Sequence, residues 1–222
     1  SMLAMRIIFI NEIADLCEKI GADVTDIAKG IGLDKRIGPH FLEPGPGFGG
    51  SCFPKDARAL IESGKKYDAP QTLLESVILG NENRKKNISK KILNKLDKQT
   101  ENQIGILGVT FKAETDDMRE SPSLIIIPDL QENGMNISVY DPEGEKEASK
   151  ILKDVNWKKS AYEAAENVDC LVILTDWEEF KNLDLDKIKN SMKRPLIYDF
   201  RNIFDPDMMT ELGFEYFSIG RG

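Results

Sequence analysis

The sequence predicts an α/β protein in two parts: an all-helical segment with a long connecting helix, then a parallel sheet with helices on both faces. Three observations carry this. Apolar residues recur at three- and four-residue steps over the first hundred positions. After Asp68-Ala69-Pro70, one long periodic stretch runs from Gln71 to about Leu96. From Asn102 onward, short apolar strands alternate with helical stretches, which is the pattern of a covered parallel sheet. The two parts are residues 1–100 and 101–222.

The first helix spans Leu3 to Ile20. Leu3, Ile7, Ile10, Ala14, Cys17 and Ile20 form its apolar stripe, so Cys17 reads as core. No capping residue precedes it, which suggests that its start lies upstream, and Gly21 ends it. Asp23 caps a short helix over about 24–29. Residues 32–44 are rich in turn formers. The long helix over 71–96 spans roughly 40 Å and suits either a spacer between domains or a dimer surface. Its interior Gly80 weakens it or permits close packing. The run Arg84-Lys85-Lys86 reads as a solvated face.

In the second part, strands are expected at 104–108, 137–141, 170–174, 196–199 and 216–219. Helices are expected at 121–133 (kinked by Pro128), 161–167, 185–191 and 206–212. Cys170 alternates with apolar strand residues and reads as core. The layout is Rossmann-like, yet no G-x-G-x-x-G follows the first strand, so no dinucleotide site has direct support there. In such sheets ligands sit beyond the carboxyl ends of the strands. Phe111-Lys112, Arg119, Asp141 and Asp199-Phe200-Arg201-Asn202 fall at those ends. Lys112, Arg119 and Arg201 converging on one sheet edge suit a pyrophosphate; each alone is equally a surface ion pair.

The stretch with most chemistry is Gly45-Pro46-Gly47-Phe48-Gly49-Gly50-Ser51-Cys52-Phe53-Pro54-Lys55-Asp56. Four glycines allow unusual backbone angles or close approach to a ligand. A helix follows, with Ser51 able to cap it and Pro54 suited to its first turn. The helix N-terminus and the Lys55 cation both favour the thiolate of Cys52. Asp56, four residues on, shares a helical face with Cys52. An activated sulfur, a neighbouring carboxylate and a ligand-hugging loop suit covalent catalysis. The plain alternative is a small buried cysteine after a turn. His40 as a base for Cys52 is disfavoured, since a loop histidine is more often simply exposed.

Composition narrows the classes further. Of 222 residues, 41% are hydrophobic and 31% charged, as in ordinary globular proteins. The net charge of −8 argues against nucleic acid or an anionic membrane surface as the main partner. No apolar run reaches the roughly 20 residues that span a bilayer. No secretory signal is apparent, so a cytoplasmic location is expected. Three cysteines without metal spacing fit reduced thiols, and one histidine without clustered carboxylates builds no metal site.

Phe48-Gly49-Gly50-Ser51-Cys52-Phe53-Pro54-Lys55-Asp56 resembles the nucleophile motif of the UDP-glucose 6-dehydrogenases, which are nucleotide-sugar dehydrogenases that oxidise an alcohol twice with NAD. The likeness extends along the chain. Phe9-Ile10-Asn11-Glu12-Ile13-Ala14 resembles the family's central helix, and Asp34-Lys35-Arg36-Ile37-Gly38 its substrate-loop approach. Gly108-Val109-Thr110-Phe111-Lys112 and Asp116-Asp117-Met118-Arg119-Glu120-Ser121 resemble the opening of its C-terminal, UDP-binding domain. Tyr140-Asp141-Pro142, Leu174-Thr175-Asp176-Trp177, Asp199-Phe200-Arg201-Asn202 and Ile219-Gly220-Arg221 follow in the family's order.

The resemblance implies roles. Cys52 is the nucleophile that forms a thiohemiacetal and then a thioester, and Asp56 assists water. Phe41, Leu42, Glu43, Pro44, Gly45, Phe48 and Gly49 wrap the sugar through their backbone groups. Phe111, Lys112 and Arg201 hold the UDP half, while Lys55 and Arg119 touch NAD. Arg36 reaches the substrate of a neighbouring subunit, which implies a homodimer or larger homo-oligomer through the central helices. The family's N-terminal NAD-binding domain is absent from this sequence, and so are a catalytic lysine and asparagine. The chain is therefore expected not to turn over alone. Two other readings stand beside this one: a sister enzyme acting on GDP-mannose or a UDP-N-acetylhexosamine, and a non-catalytic nucleotide-sugar-binding or dimerisation module. Phe-Pro-Lys-Asp after the cysteine speaks against the acetylhexosamine branch, and Asp-Asp-Met-Arg-Glu-Ser favours UDP-glucose.

Overall fold

Gly21 shows how directly the sequence dictates the first turn. Its left-handed φ of 70° ends helix α1 (Met2–Ile20), and its N–H donates to the carbonyl of Cys17. A computed structural model of the chain describes residues 1–96 and 102–221. The boundary expected at 100/101 lies outside the described residues. Asp23 caps α2 (Val24–Gly32) by accepting from the Thr25 N–H. The cysteine loop leads into α3 (Phe53–Lys66), and the break at Pro70 precedes α4 (Thr72–Leu93).

The second part alternates as expected, with three additional elements. The order is β1 (Gln103–Leu107), α5 (Ser123–Glu132), β2 (Asn136–Tyr140), α6 (Glu145–Ala148), β3 (Val155–Trp157) and α7 (Ala161–Ala165). Then come β4 (Cys170–Ile173), α8 (Glu178–Lys181), α9 (Leu185–Ser191), β5 (Leu196–Asp199), α10 (Pro206–Glu211) and β6 (Glu215–Ser218). The strands pair in parallel in the order β3-β2-β1-β4-β5-β6, so the chain reverses its winding between β1 and β4. Strand β3 and helices α6 and α8 escape a sequence reading because each has only three or four residues, too few to show a period.

Alternation along the strands builds two cores. Ile104, Ile106, Cys170, Val172, Leu196 and Tyr198 face α4 and α5, in a cluster continuous with Ile10, Ala14, Cys17 and Val24 of the first part. Leu107, Leu171, Ile173 and Ile197 face the opposite side, against Ala164, Phe180, Ile188 and Met209. Cys17 and Cys170 are thus core, as expected. A third cluster joins α1, α3 and α4, with Phe48 of the glycine loop set into it.

Three expectations need correction. Leu3 and Ile20 of α1 are exposed, at 36% and 64%, and the buried face is Ala4, Ile8, Ile10, Asn11, Ala14 and Cys17. The helix is apolar over most of its circumference, so periodicity alone does not choose its inner face. Helix α4 ends at Leu93, short of 96. Helix α5 starts at Ser123 and continues past Pro128. At Gly80 the structure favours close packing, since a Cβ there would lie 3.1 Å from Ile8 of α1.

Gly105 fixes the spacing of sheet and helix. A Cβ on it would overlap the carbonyl oxygen of Ala164 in α7 and lie 2.9 Å from a methyl of Leu171. Gly105→Ala is expected to cost about 1–3 kcal/mol through overpacking, lowering the melting temperature by ~2–4 °C per kcal/mol. A thermal melt identical to the wild type would show that α7 moves aside freely.

Candidate functional site

The cysteine loop is held from behind by polar side chains of two helices. Asn11 Oδ1 accepts from the Gly45 N–H at 2.8 Å, and Arg84 Nε donates to the Gly45 carbonyl at 2.8 Å. Asn81 embraces Phe48: its Oδ1 accepts from the Phe48 N–H at 2.8 Å and its Nδ2 donates to the Phe48 carbonyl at 3.0 Å. These residues are buried, so the loop's backbone groups exchange water for fixed partners. The run Arg84-Lys85-Lys86 is therefore not a solvated face; only Lys86 is exposed, while Arg84 and Lys85 are buried.

Each buried cation is compensated. Arg84 Nη1 pairs with Asp15 at 2.8 Å and with the Asn11 carbonyl at 3.2 Å. Burial pushes the Asp15 carboxyl up, but the charges and hydrogen bonds of Arg84 and Lys91 outweigh it, and the carboxyl lies below its ordinary value. Lys85 is 1% exposed and donates to the Glu120 carbonyl at 3.2 Å. Its burial draws the ammonium below its ordinary value of 10.5, against the charges of Glu82 and Glu120.

The glycines fit the chain to itself. Gly47 has φ 121°, and a Cβ on it would lie 2.9 Å from Asn81 Oδ1 and 3.2 Å from the stem of Lys85. A Cβ on Gly49 would overlap the Glu120 carbonyl. One on Gly50 would lie 2.9 Å from the ring of Phe111, and the Gly50 N–H donates to the Arg119 carbonyl at 2.7 Å. The loop is thereby pressed onto residues 111–120 after β1. Arg58 of α3 adds an ion pair with Glu120 at 2.6 Å across the same joint.

On this mount Cys52 stands exposed as the residue before α3. Ser51 makes no capping bond; its hydroxyl lies 3.6 Å from the Cys52 sulfur. Among the described residues no histidine hydrogen-bonds that sulfur, and His40 is exposed. The Asp56 N–H donates to the Cys52 carbonyl at 2.8 Å, a helical turn that keeps the two residues on one face. Beside the sulfur, Gly50, Ser51, Lys55, Arg119 and Glu120 line a cavity of about 370 Å³. Arg119 is exposed and forms a forked pair with Asp117 at 2.7–3.1 Å. That hydrogen bonding raises Arg119 above its ordinary value, and the neighbouring Cys52 adds to the effect.

Across the loop, Phe111, Lys112 and Arg201 do meet. Lys112 Nζ lies 5.6 Å from the centre of the Phe111 ring, and Arg201 Nη2 donates to the Phe111 carbonyl at 3.2 Å. Arg201 is half-buried, and its desolvation draws it below its ordinary value; its Nε donates to the Leu174 carbonyl at 2.8 Å, and its Nη1 lies 3.4 Å from a Cβ built on Gly45. The buried carboxylate of Asp199 fixes this turn by accepting from the N–H groups of Arg201, Ile203 and Phe204.

Other expected residues are disposed differently. Leu42, Pro44, Gly45 and Phe48 are buried, Glu43 is exposed and Gly49 half-buried. The N–H groups of Gly45 and Phe48 are taken by Asn11 and Asn81, so these two donors do not face a sugar. Phe41 is exposed at φ 60° with its ring 6.1 Å from that of Phe53. Arg36 is exposed and paired with Asp34 at 2.6 Å. Asn11, Asn81, Arg84 and Lys85 were not among the expected site residues. The available signal was Asn81 standing on the apolar stripe of α4.

In the turn after β1, Asp141 accepts from the N–H groups of Val109, Thr110 and Gly144 at 2.6, 3.2 and 2.7 Å, so these donors are taken by the chain itself. No group of three or more His, Cys, Asp or Glu side chains that could hold a metal ion occurs among the described residues.

Comparison with known proteins gives a consistent result. Residues 1–83 match the central domain of the UDP-glucose/GDP-mannose dehydrogenase family, and residues 105–206 match that family's UDP binding domain. A UDP-glucose 6-dehydrogenase of Rhizobium meliloti is 48% identical over 222 residues, covering 100% of this chain and 51% of the relative. The UDP-glucose 6-dehydrogenase TuaD of Bacillus subtilis is 46% identical over 100% of this chain and 48% of the relative. A UDP-glucose dehydrogenase structure from Pyrobaculum islandicum superposes with a TM-score of 0.82 at 30% identity, over 97% of this chain and 47% of that one. The chain thus spans about half the length of the relatives it matches.

Lys85 offers a test of the mount. Its lowered folded value means that the buried ammonium costs stability at neutral pH, and that the cost is relieved as pH rises toward 10.5. Denaturant unfolding of wild type and Lys85→Met at pH 7 and pH 10 is expected to show the wild type gaining on the variant at the higher pH. A pH-independent difference would contradict the burial of a charged Lys85.

Proposed function

The chain belongs to the UDP-glucose/GDP-mannose dehydrogenase family, and on that premise we propose that the full-length protein is a UDP-glucose 6-dehydrogenase. It oxidises C6 of UDP-glucose twice, to UDP-glucuronate, and this chain supplies the sulfur nucleophile and the UDP side of the site. The observation that carries the reading is the exposed Cys52 on a rigidly clamped loop, with Lys55 and Arg119 on one flank and Phe111, Lys112 and Arg201 on the other.

The chemistry follows from the sulfur. Cys52 Sγ adds to the C6 aldehyde, and the aldehyde oxygen takes the proton, giving a thiohemiacetal. Loss of hydride from C6 and of the proton from its hydroxyl turns this into a thioester, and water attacks its carbonyl carbon, releasing the acid and the thiol. Asp56, one helical turn away, is suited to orient that water. Lys112 supplies an exposed cation and Phe111 a ring for the nucleotide, while half-buried Arg201 sets the shape between them. NAD, when bound, accepts the hydrides. Asp141 takes the N–H groups of Val109, Thr110 and Gly144 in the turn after β1, so these donors are not free for a dinucleotide. Lys55 and Arg119 are the residues of this chain that touch the cofactor. No helix among the described residues is long and apolar enough to cross a membrane, and a reaction on a nucleotide sugar suits the cytoplasm.

In the full-length protein, Cys52→Ser is expected to reduce UDP-glucuronate formation from UDP-glucose and NAD by roughly 10³-fold or more, with UDP-glucose still bound. Undiminished acid formation would remove the nucleophile assignment.

A homodimer through the central helices is part of the same proposal. Met2, Phe9, Leu16 and Ile20 are exposed at 65, 47, 53 and 64% and lie along one side of α1, away from its buried face. Such a stripe suits a matching stripe on a second copy. Phe9→Glu with Leu16→Glu is expected to convert a dimer into a monomer by light scattering after gel filtration. A mass unchanged from a wild-type dimer would move the interface elsewhere.

A further inference from the structure

Four charged side chains meet where α3, α4 and the segment after β1 come together. Arg58 of α3 donates to both oxygens of Glu120, at 2.6 and 3.3 Å. Glu82 of α4 lies 3.7 Å from Arg58 and 4.0 Å from Lys85. Lys85 in turn donates to the Glu120 carbonyl. Two acids and two bases thus alternate across three segments. Hydrogen bonds from Arg58 hold the Glu120 carboxyl below its ordinary value, so the pair is charged at neutral pH. Glu120 also takes φ 54°, a left-handed backbone that residues other than glycine, asparagine and aspartate seldom adopt. Such a conformation persists only where its surroundings over-determine it. Here they do: Arg58 holds the carboxylate, Lys85 holds the carbonyl, and Gly49 is pressed against that carbonyl.

The residue that this turn presents is Arg119. It precedes Glu120, and both line the cavity of about 370 Å³ beside Cys52. Asp117 orients the Arg119 guanidinium within its own segment, and the Gly50 N–H ties the Arg119 carbonyl to the loop. The tie to α3, the helix that begins just after Cys52, is the Arg58–Glu120 pair. We propose that Glu120 is a positioning residue, whose clamp to Arg58 holds Arg119 beside Cys52 and fixes the cationic flank of the site. Its consequence for the cofactor rests on the dehydrogenase reading above; its consequence for the sulfur does not. The UDP flank is held separately, since Arg201 is bound to the carbonyls of Leu174 and Phe111.

The test compares alkylation of Cys52 by iodoacetate and by iodoacetamide in the full-length protein, followed by the mass of the Cys52 peptide. A guanidinium beside the sulfur favours the anionic reagent, and Arg119→Met marks the rate ratio without one. Glu120→Gln deletes the acid's charge but still accepts from Arg58, and is expected to keep the wild-type ratio or exceed it. Glu120→Gly deletes the same charge and the clamp as well, while its backbone takes the left-handed φ freely. It is expected to lower the ratio about threefold, toward that of Arg119→Met. In steady-state assays Glu120→Gly is expected to raise the KM for NAD about tenfold and leave that for UDP-glucose within about twofold. Its melting temperature is expected to stay within ~3 °C of wild type, because the Arg58 and Glu120 side chains are 46 and 38% exposed and such a pair contributes little to stability. A ratio in Glu120→Gly equal to or above that in Glu120→Gln overturns the proposal. So does an equal rise in both KM values with a lowered melting temperature, the mark of general loosening. Wild-type protein that forms no UDP-glucuronate would sink the dehydrogenase reading, and the alkylation ratio would still decide the clamp.

Discussion

Two consecutive cations on α4 determine where the cysteine loop can be. Successive helical residues point about 100° apart, so Arg84 and Lys85 reach different targets. Arg84 turns to Gly45 and Asn11 at the loop's start. Lys85 passes under Gly47 to the Glu120 carbonyl beyond β1. One helix thus fixes the loop against both parts of the chain. Burying a charge costs several kcal/mol unless pairing and hydrogen bonds offset it, and the partners here are largely backbone carbonyls whose positions the charges fix in return. Arginine suits the first role because its fork can meet a carbonyl and a carboxylate at once, as Arg84 does with Gly45 and Asp15.

The sheet uses carboxylates in the same way. Asp141 gathers the N–H groups after β1, and Asp199 gathers those after β5. A Rossmann-like crevice commonly offers such N–H groups to a ligand's phosphates. Here the chain's own anions satisfy them, so the ligand-facing chemistry passes to side chains. Asp199 is held largely uncompensated by cations: burial raises it, and the Tyr216 hydroxyl and three backbone N–H groups pull the other way. Rigid turns result, and Arg201, set on one of them, lies locked between Leu174, Phe111 and Gly45.

What the sequence revealed and concealed follows from range. The strands of four or five residues, the Gly21 stop, the Asp23 cap and the helical turn linking Cys52 to Asp56 are local, and local pattern was enough to find them. The cysteine loop is legible because glycines and cysteine are adjacent in the chain. Its mount is not, because Asn11, Asn81, Arg84 and Lys85 act across 33 to 39 residues and more. A charge run reads as solvated when only its neighbours are considered, and burial of two of its three members becomes visible only when the loop is laid over α4. The glycines suit unusual backbone angles or close approach to a ligand, and Gly47 and Gly50 do take positive φ, at 121° and 83°. The close approaches of Gly47, Gly49 and Gly50 are to Asn81, Glu120 and Phe111, contacts of the chain with itself.

The role proposed for Cys52 imposes a conflict that this arrangement resolves. The sulfur must be exposed to be reached, as Cys52 is, and exposure deprives it of the packing that normally fixes a side chain. Precision then has to come from the backbone beneath it. The Cys52 backbone is the joint between a loop clamped at Gly45, Phe48 and Gly50 and a helix whose first turn holds Pro54 buried. Because the clamps are hydrogen bonds to main chain, the identity of the side chains on the outer face is left free of structural duty. That freedom lets Lys55 and Asp56 on the first turn after Cys52, and Lys112 and Arg119 on the facing segment, stay exposed, as the role proposed for them requires.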